Sequence, residues 1–417
     1  MFLTSLLRIA LTRSFKPFVF NDRHTESLDF SGLDNLGLYV HIPFCRSICD
    51  FCPYCKTVYD KELAGEYKNA LLGEIDLVCH GQKEKKQITS LYFGGGTPAL
   101  MIGDLKEIIG RLKKYFIIRD GIGAELHPDD INADTLETLK DAGVTMVSVG
   151  IQSFDRICLK ALGRSNRDFD GRMEIVRSAG FDVVDVDLIF AIPGQTEDSL
   201  KKDIDTAFSL GATQVSTYPF IDFTFAGNKH KPLKEKDKKR LLSLISKHAG
   251  SSGKERTSVW TFAQKETGKY SSVTRDSFLG FGVSATTLLR SEFKINTFSI
   301  QSYIDRIKEK KLPTSLTLSF TKRQRACYYL FWNSYGMQID PKAFEEMIGA
   351  PLARMYGFEL WLGGRAGLIK QEGGRYRLTE KGAYYYHYIE QAYTTAYIDK
   401  MWNISRIKAF PKKIILK

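Results

Sequence analysis

The sequence predicts an α/β chain: six β/α units forming a partial, open barrel, followed by a helical, winged-helix-like module. Three observations predict it. From Gly37 to about Gly250, short apolar runs alternate six times with longer amphipathic stretches, the pattern of parallel βαβ units. Beyond Gly250 that alternation gives way to helical segments and a short Gly-rich hairpin. Four of the seven cysteines crowd into Cys45–Cys55, directly after the first apolar run. Six units are fewer than the eight of a closed barrel, and chemistry in such folds gathers at the C-terminal strand ends.

The expected strands are Leu38–Ile42, Ile88–Phe93, Ile122–Leu126, Thr145–Gln152, Val183–Phe190 and Thr213–Phe220. Helices are expected at Lys61–Cys79, Leu100–Phe116, Ala133–Ala142, up to Ala179, at Asp198–Leu210 and at Lys234–His248. The division that follows is an arm over 1–36, the barrel over 37–250, a connecting strand and helix region over 251–318, the winged-helix-like domain over 319–395, and a basic aromatic tail over 396–417.

The net charge is +12, which favours anionic partners: phospholipid surfaces, nucleic acid or a polycarboxylate substrate. No run approaches the length of a membrane-spanning helix. One tight cysteine group in a long chain reads as a metal site in a reducing compartment, so a cytoplasmic setting is expected. In Met1–Leu11 the apolar Phe2, Leu3, Leu6, Leu7, Ala10 and Leu11 share a helical face, with Thr4, Arg8 and Thr12 opposite. That helix packs on the protein's own body, lies peripherally on a membrane, or is a presequence. Arg8 interrupts any secretory core.

Cys45, Cys49 and Cys52 follow C-x3-C-x2-C, a spacing with which one loop can wrap a [4Fe–4S] cluster. Three protein thiolates leave one iron open, and an open iron can hold the amino and carboxylate groups of S-adenosylmethionine. Zinc is the competing occupant, since Cys49/Cys52 and Cys52/Cys55 each have knuckle spacing, but no second knuckle follows. Cys55 is left off the cluster, because a fourth ligand would block the open iron. It is either a core thiol or a catalytic group near the substrate.

Further candidates sit at strand ends. Gly95, Gly96 and Thr97 lie in Gly94-Gly95-Gly96-Thr97-Pro98, where glycines let backbone approach a ligand. Glu125 ends the third strand and Gln152 the fourth. Asp185 and Asp187 share one face of the fifth, where an acid needs a partner, and Asp187 is the preferred pocket residue. Arg164 could grip a carboxylate.

Together, Tyr39–Cys52, Gly94–Pro98, Glu125–Pro128, Gly150–Phe154, Leu162–Arg164 and Asp187–Thr196 resemble the oxygen-independent coproporphyrinogen III oxidase-like branch of the radical S-adenosylmethionine (SAM) superfamily. The resemblance runs from about Gly37 to Thr395. It implies a radical SAM barrel and a first SAM site lined by Tyr39, Gly95, Gly96, Glu125, Gln152, Arg164 and Asp187. Several members bind a second SAM. A flavodoxin or ferredoxin would donate electrons. The branch holds porphyrinogen decarboxylases, heme chaperones, anaerobic heme-degrading methyltransferases and class C methyltransferases.

Two departures guide the choice. The oxidases place a fourth cysteine where this chain has Tyr54, and the chaperones carry a histidine motif where it reads Tyr270–Asp276 without histidine. The leading expectation is therefore class C methyl transfer, using two SAM molecules, to an sp2 carbon of an aromatic or quinone substrate such as menaquinone. A tetrapyrrole substrate, with oxidative decarboxylation, stands second. No nucleic-acid role is expected, because no basic helix stands out within Tyr328–Leu368.

Overall fold

The computed structural model describes residues 2–23, 27–164, 168–268 and 276–417. Its barrel strands are β1 (Leu36–Ile42), β2 (Leu91–Gly95), β3 (Ile122–Leu126), β4 (Met146–Gln152), β5 (Val183–Phe190) and β6 (Gln214–Pro219). Each runs parallel to the next, in that order. Both β1 and β5 are buried almost without interruption, as strands covered on both faces must be.

Helices return the chain between strands, and side chains set their starts. Asp60 accepts from Leu63 N, Asn132 from Thr135 N, and Thr196 forms a capping box with Ser199. Each satisfies a backbone N–H that the helix leaves free. Gly180, in the left-handed region, stops the helix Phe169–Ala179 ahead of β5. The expected strand Ile88–Phe93 is in fact two: Lys86–Ile88 pairs with Phe116–Ile118 in a separate ribbon, and β2 starts at Leu91.

The sheet continues beyond six strands. Ser277–Phe281 lies parallel to β1, with Ser277 opposite Leu36 and Phe281 opposite Val40. The antiparallel strands Thr286–Leu288, Glu292–Asn296, Thr314–Ser319, Phe18–Asn21 and Lys413–Leu416 follow, and Thr261–Ala263, then Glu255–Arg256, extend the other edge beside β6. The described residues thus form one 14-stranded sheet. Glu74 ties this extension to the barrel. It is 2% exposed and accepts from Gly282 N (2.7 Å), Asn296 Nδ2 (2.8 Å) and Tyr303 OH (2.6 Å).

The module after Ser319 has winged-helix order: helices Lys322–Tyr335, Pro341–Ile348 and Leu352–Arg365, then a hairpin of Ile369–Glu372 with Arg375–Leu378. Gly373 and Gly374 both have positive φ, which a two-residue hairpin turn requires. Helix Glu380–Tyr393 then leads through one π-helical turn into Asp399–Ile407.

The N-terminal helix Phe2–Thr12 packs on the protein's own body, one of the three placements expected for it. It packs on Lys322–Tyr335 and Glu380–Tyr393 with its polar stripe inward: Thr4, Arg8 and Thr12 are buried, while Leu6 is 48% exposed. Arg8 donates to the carbonyls of Ser14 and Lys16, which caps the turn after the helix and repays part of its burial. No described helix is long and apolar enough to cross a membrane.

Candidate active site

The C-terminal ends of the barrel strands open into one cavity of about 1220 Å³. Cys45, Cys49 and Cys52 line it, on the loop that leaves β1. So do Tyr39, Gly95, Gly96, Thr97, Glu125, Gln152, Arg164 and Asp187. The residues singled out in sequence from six separate strand ends and loops therefore share one space.

Backbone hydrogen bonds hold the cysteine loop against the glycine run. Gly96 N donates to Ile42 O and Thr97 N to Phe44 O, each at 2.7 Å. Space there is exhausted: a Cβ on Gly96 would lie 2.4 Å from Phe44 O and 3.0 Å from Cys45 Sγ. Gly96→Ala should therefore displace the loop, at an overpacking cost of about 1–3 kcal/mol. Iron retained after reconstitution checks this; wild-type iron content would contradict it. Gly95 has φ +112°, and a Cβ there would meet the His41 ring at 2.5 Å.

His41 is a residue that sequence reasoning passed over, although it lies in the same run. Burial holds its pKa down to about 4, so the ring is neutral. Its Nε2 lies 2.8 Å from Cys55 O, which can only accept, so Nε2 carries the proton. Nδ1 then accepts from Tyr39 OH at 3.0 Å. His41 thus links β1 to the far end of the cysteine loop. Tyr67 OH reinforces it by donating to His41 O at 2.7 Å.

Glu125 accepts from Gly95 N (3.0 Å) and Tyr92 OH (3.1 Å), and burial raises its pKa to about 6. Asp187 accepts from Ser148 Oγ at 2.8 Å, and burial together with Asp185 and Glu125 pushes its pKa well up. What exposure Asp187 has faces the cavity. Arg164 donates to Gly150 O and places Nη2 3.8 Å from Cys49 Sγ. Cys55 is 7% exposed, borders the cavity, and bonds Phe298 O at 3.3 Å. Arg406 stands beside it and donates to Pro53 O. No spacing signal could connect Arg406 to a loop so far away in the chain.

The three thiols also have the chemistry of a cluster site. Burial and the neighbouring Cys52 and Cys49 push Cys45 up to about 12, so these thiolates need a cationic centre among them. Among the described residues no three His, Cys, Asp or Glu side chains converge on a single ion. A cubane asks something else, one thiolate for each of three irons.

Residues 39–207 match the family model described as the radical SAM superfamily. Over those residues the chain is similar to the radical SAM superfamily. The superfamily implies a [4Fe–4S] cluster with SAM; here Cys45, Cys49 and Cys52 would hold it, and it would supply a 5′-deoxyadenosyl radical. Within the superfamily the similarity runs to coproporphyrinogen oxidase-like proteins. The heme chaperone HemW of Bacillus subtilis is 29% identical over 367 residues, 82% of this chain and 95% of that protein. The oxygen-independent coproporphyrinogen III oxidase of Pseudomonas aeruginosa is 31% identical over 193 residues, 44% of this chain and 42% of that protein. In three dimensions the chain is similar to the Escherichia coli coproporphyrinogen III oxidase HemN, with a TM-score of 0.74 and 21% identity over 93% of this chain and 98% of that one. These radical SAM relatives lend no support to the expected methyl transfer, quinone acceptor or second SAM molecule.

Proposed function

We propose that this chain is a radical SAM enzyme that takes a hydrogen atom from a tetrapyrrole substrate, with oxidative decarboxylation of a porphyrinogen side chain as the reaction. The single observation that carries this is the cavity. It runs unbroken from Cys45, Cys49 and Cys52 to an aromatic wall of Tyr328, Phe331, Trp332 and Trp402. At about 1220 Å³ it exceeds a usual small-molecule pocket, so it has room for SAM and a macrocycle together. The similarity to porphyrinogen oxidases and heme chaperones points to the same substrate class.

In this reading Cys45, Cys49 and Cys52 hold the cluster. Glu125 and the backbone of Gly95 and Gly96 receive the ammonium end of SAM, while Asp187, Gln152 and Arg164 orient the rest. Lys56, at the rim beside the cysteines, is placed to face a substrate carboxylate. The substrate propionate loses a hydrogen atom and carbon dioxide and passes one electron to an acceptor, leaving a vinyl group. The histidine-free stretch that argues against a heme carrier, Tyr270–Asp276, lies outside the described residues except for Asp276.

Methyl transfer to an apolar sp2 acceptor, menaquinone included, is the second reading. It is favoured by the predominance of aromatic and aliphatic side chains on the far wall, and by the engagement of Arg46 with Asp130 and of Arg256 with Glu380. Reconstituted protein given SAM and reduced flavodoxin should convert coproporphyrinogen III to a product lighter by carbon dioxide and two hydrogens per propionate. An added methylene on menaquinone instead would establish the second reading. Neither product, with 5′-deoxyadenosine still formed, would overturn both.

A further inference from the structure

The winged-helix-like module carries an exposed surface that the barrel chemistry does not use. On helix Leu352–Arg365, Phe358 is 66% exposed, Trp361 60% and Leu362 51%. Their spacing puts all three on one helical face. The Phe358 and Trp361 rings lie 6.0 Å apart, so they make one patch. Phe15, 86% exposed, stands two residues beyond Arg13, which bonds Glu359 of this helix.

The segments that carry the patch are basic. Arg365, exposed one turn after Trp361, continues the stripe; Arg354, before the kink at Tyr356, is exposed too, as is Lys16 beside Phe15. Within 13–16 and 351–367 the only acid is Glu359, and Arg13 neutralises it. Aromatic and leucine side chains ringed by arginine and lysine match the interface of an anionic bilayer. Rings settle there at headgroup depth while cations meet phosphates.

The reverse side of the helix gives the patch a purpose. Tyr356 is buried and donates to Leu11 O at 3.1 Å, and Leu360 and Gly363 line the catalytic cavity. The one helix therefore carries the exposed patch on one side and cavity-lining residues on the other. We propose that the Phe358–Trp361–Leu362 face, with Phe15, docks on the surface of an anionic lipid bilayer and brings the cavity's apolar end to the membrane. The N-terminal helix turns its Arg8 inward, so the docking element is helix Leu352–Arg365. The proposal stands whichever reaction the cavity performs.

The test uses the full chain with its cluster reconstituted under anaerobic conditions. It is sedimented with vesicles of phosphatidylcholine alone or of phosphatidylcholine with phosphatidylglycerol. Binding is expected on the phosphatidylglycerol vesicles, reduced by salt, and weak on phosphatidylcholine alone. The triple variant F358S/W361S/L362S should bind about a hundredfold more weakly or less, because three large apolar side chains no longer leave water. All three are exposed, so its circular dichroism and cluster absorbance should match wild type. Brominated acyl chains should quench tryptophan fluorescence in the wild type and not in the variant. Absence of binding to anionic vesicles, or binding that the variant retains, would overturn the proposal. So would a dimer that the variant dissolves without any vesicle binding, since the patch would then belong to a second copy.

Discussion

Cys49→Ala should lose its cluster iron and cut SAM cleavage by about a thousandfold or more, measured as 5′-deoxyadenosine formed under reducing conditions. Cys49 is the middle thiol of the C-x3-C-x2-C run that lines the cavity, and a cubane held by two protein ligands drops out on reconstitution. The fold should survive, because Cys49 is only half-buried and the loop hangs on backbone bonds from Ile42, Phe44 and Cys45. Cys55→Ala is the matched control. Its thiol is buried and bonded to Phe298 O, so iron should be retained. Full iron in Cys49→Ala, or iron lost in Cys55→Ala, would reassign the ligands.

Glu74→Ala should lower the stability of the cluster-free protein by about 3–5 kcal/mol, read from urea unfolding. Three donors from three segments, Gly282 N, Asn296 Nδ2 and Tyr303 OH, end on this carboxylate. Removing it strands buried donors without water. The same group predicts a pH dependence. Burial raises the folded pKa of Glu74 to about 7, above its ordinary value. The folded state therefore holds a proton that the unfolded chain has released. Its stabilisation is complete below about pH 4.5 and is lost as pH rises to about 7, a loss of about 3 kcal/mol. Glu390, raised to about 7 by burial, acts in the same direction. Glu74→Gln should remove one share of that slope; an unchanged slope would show that Glu74 does not titrate there.

The barrel was legible because each strand and helix announces itself locally, through apolar runs and the 3.6-residue period. The cluster loop and the strand-end residues were legible because their chemistry is carried by spacing or by cost: three thiols in a row, glycines after a strand, acids inside apolar runs. Pairing is not local, and there the reading stopped. Leu279–Val283 stands out as a Gly-rich run, yet nothing in it says that Ser277–Phe281 aligns beside β1. Glu74 looks like any acid on an amphipathic helix until the partners that bury it are in place. The N-terminal helix shows another limit. Amphipathicity says which residues share a face, and the partner decides which face turns in. Here Lys322–Tyr335 and Glu380–Tyr393 take the side with Thr4, Arg8 and Thr12.

The pairing of Phe18–Asn21 with Lys413–Leu416 has a consequence for how the molecule is made. As the chain leaves the ribosome, its first strand must wait for nearly all the rest to be synthesised before one of its two neighbours exists. The parallel barrel can assemble meanwhile, because its strands follow one another in order. Phe18, Phe20 and Leu416 all face the cavity. Translation therefore delivers the cysteine loop early and the far wall of the chamber last, so the nascent protein passes through a stage in which the loop stands in place before an unsealed vessel.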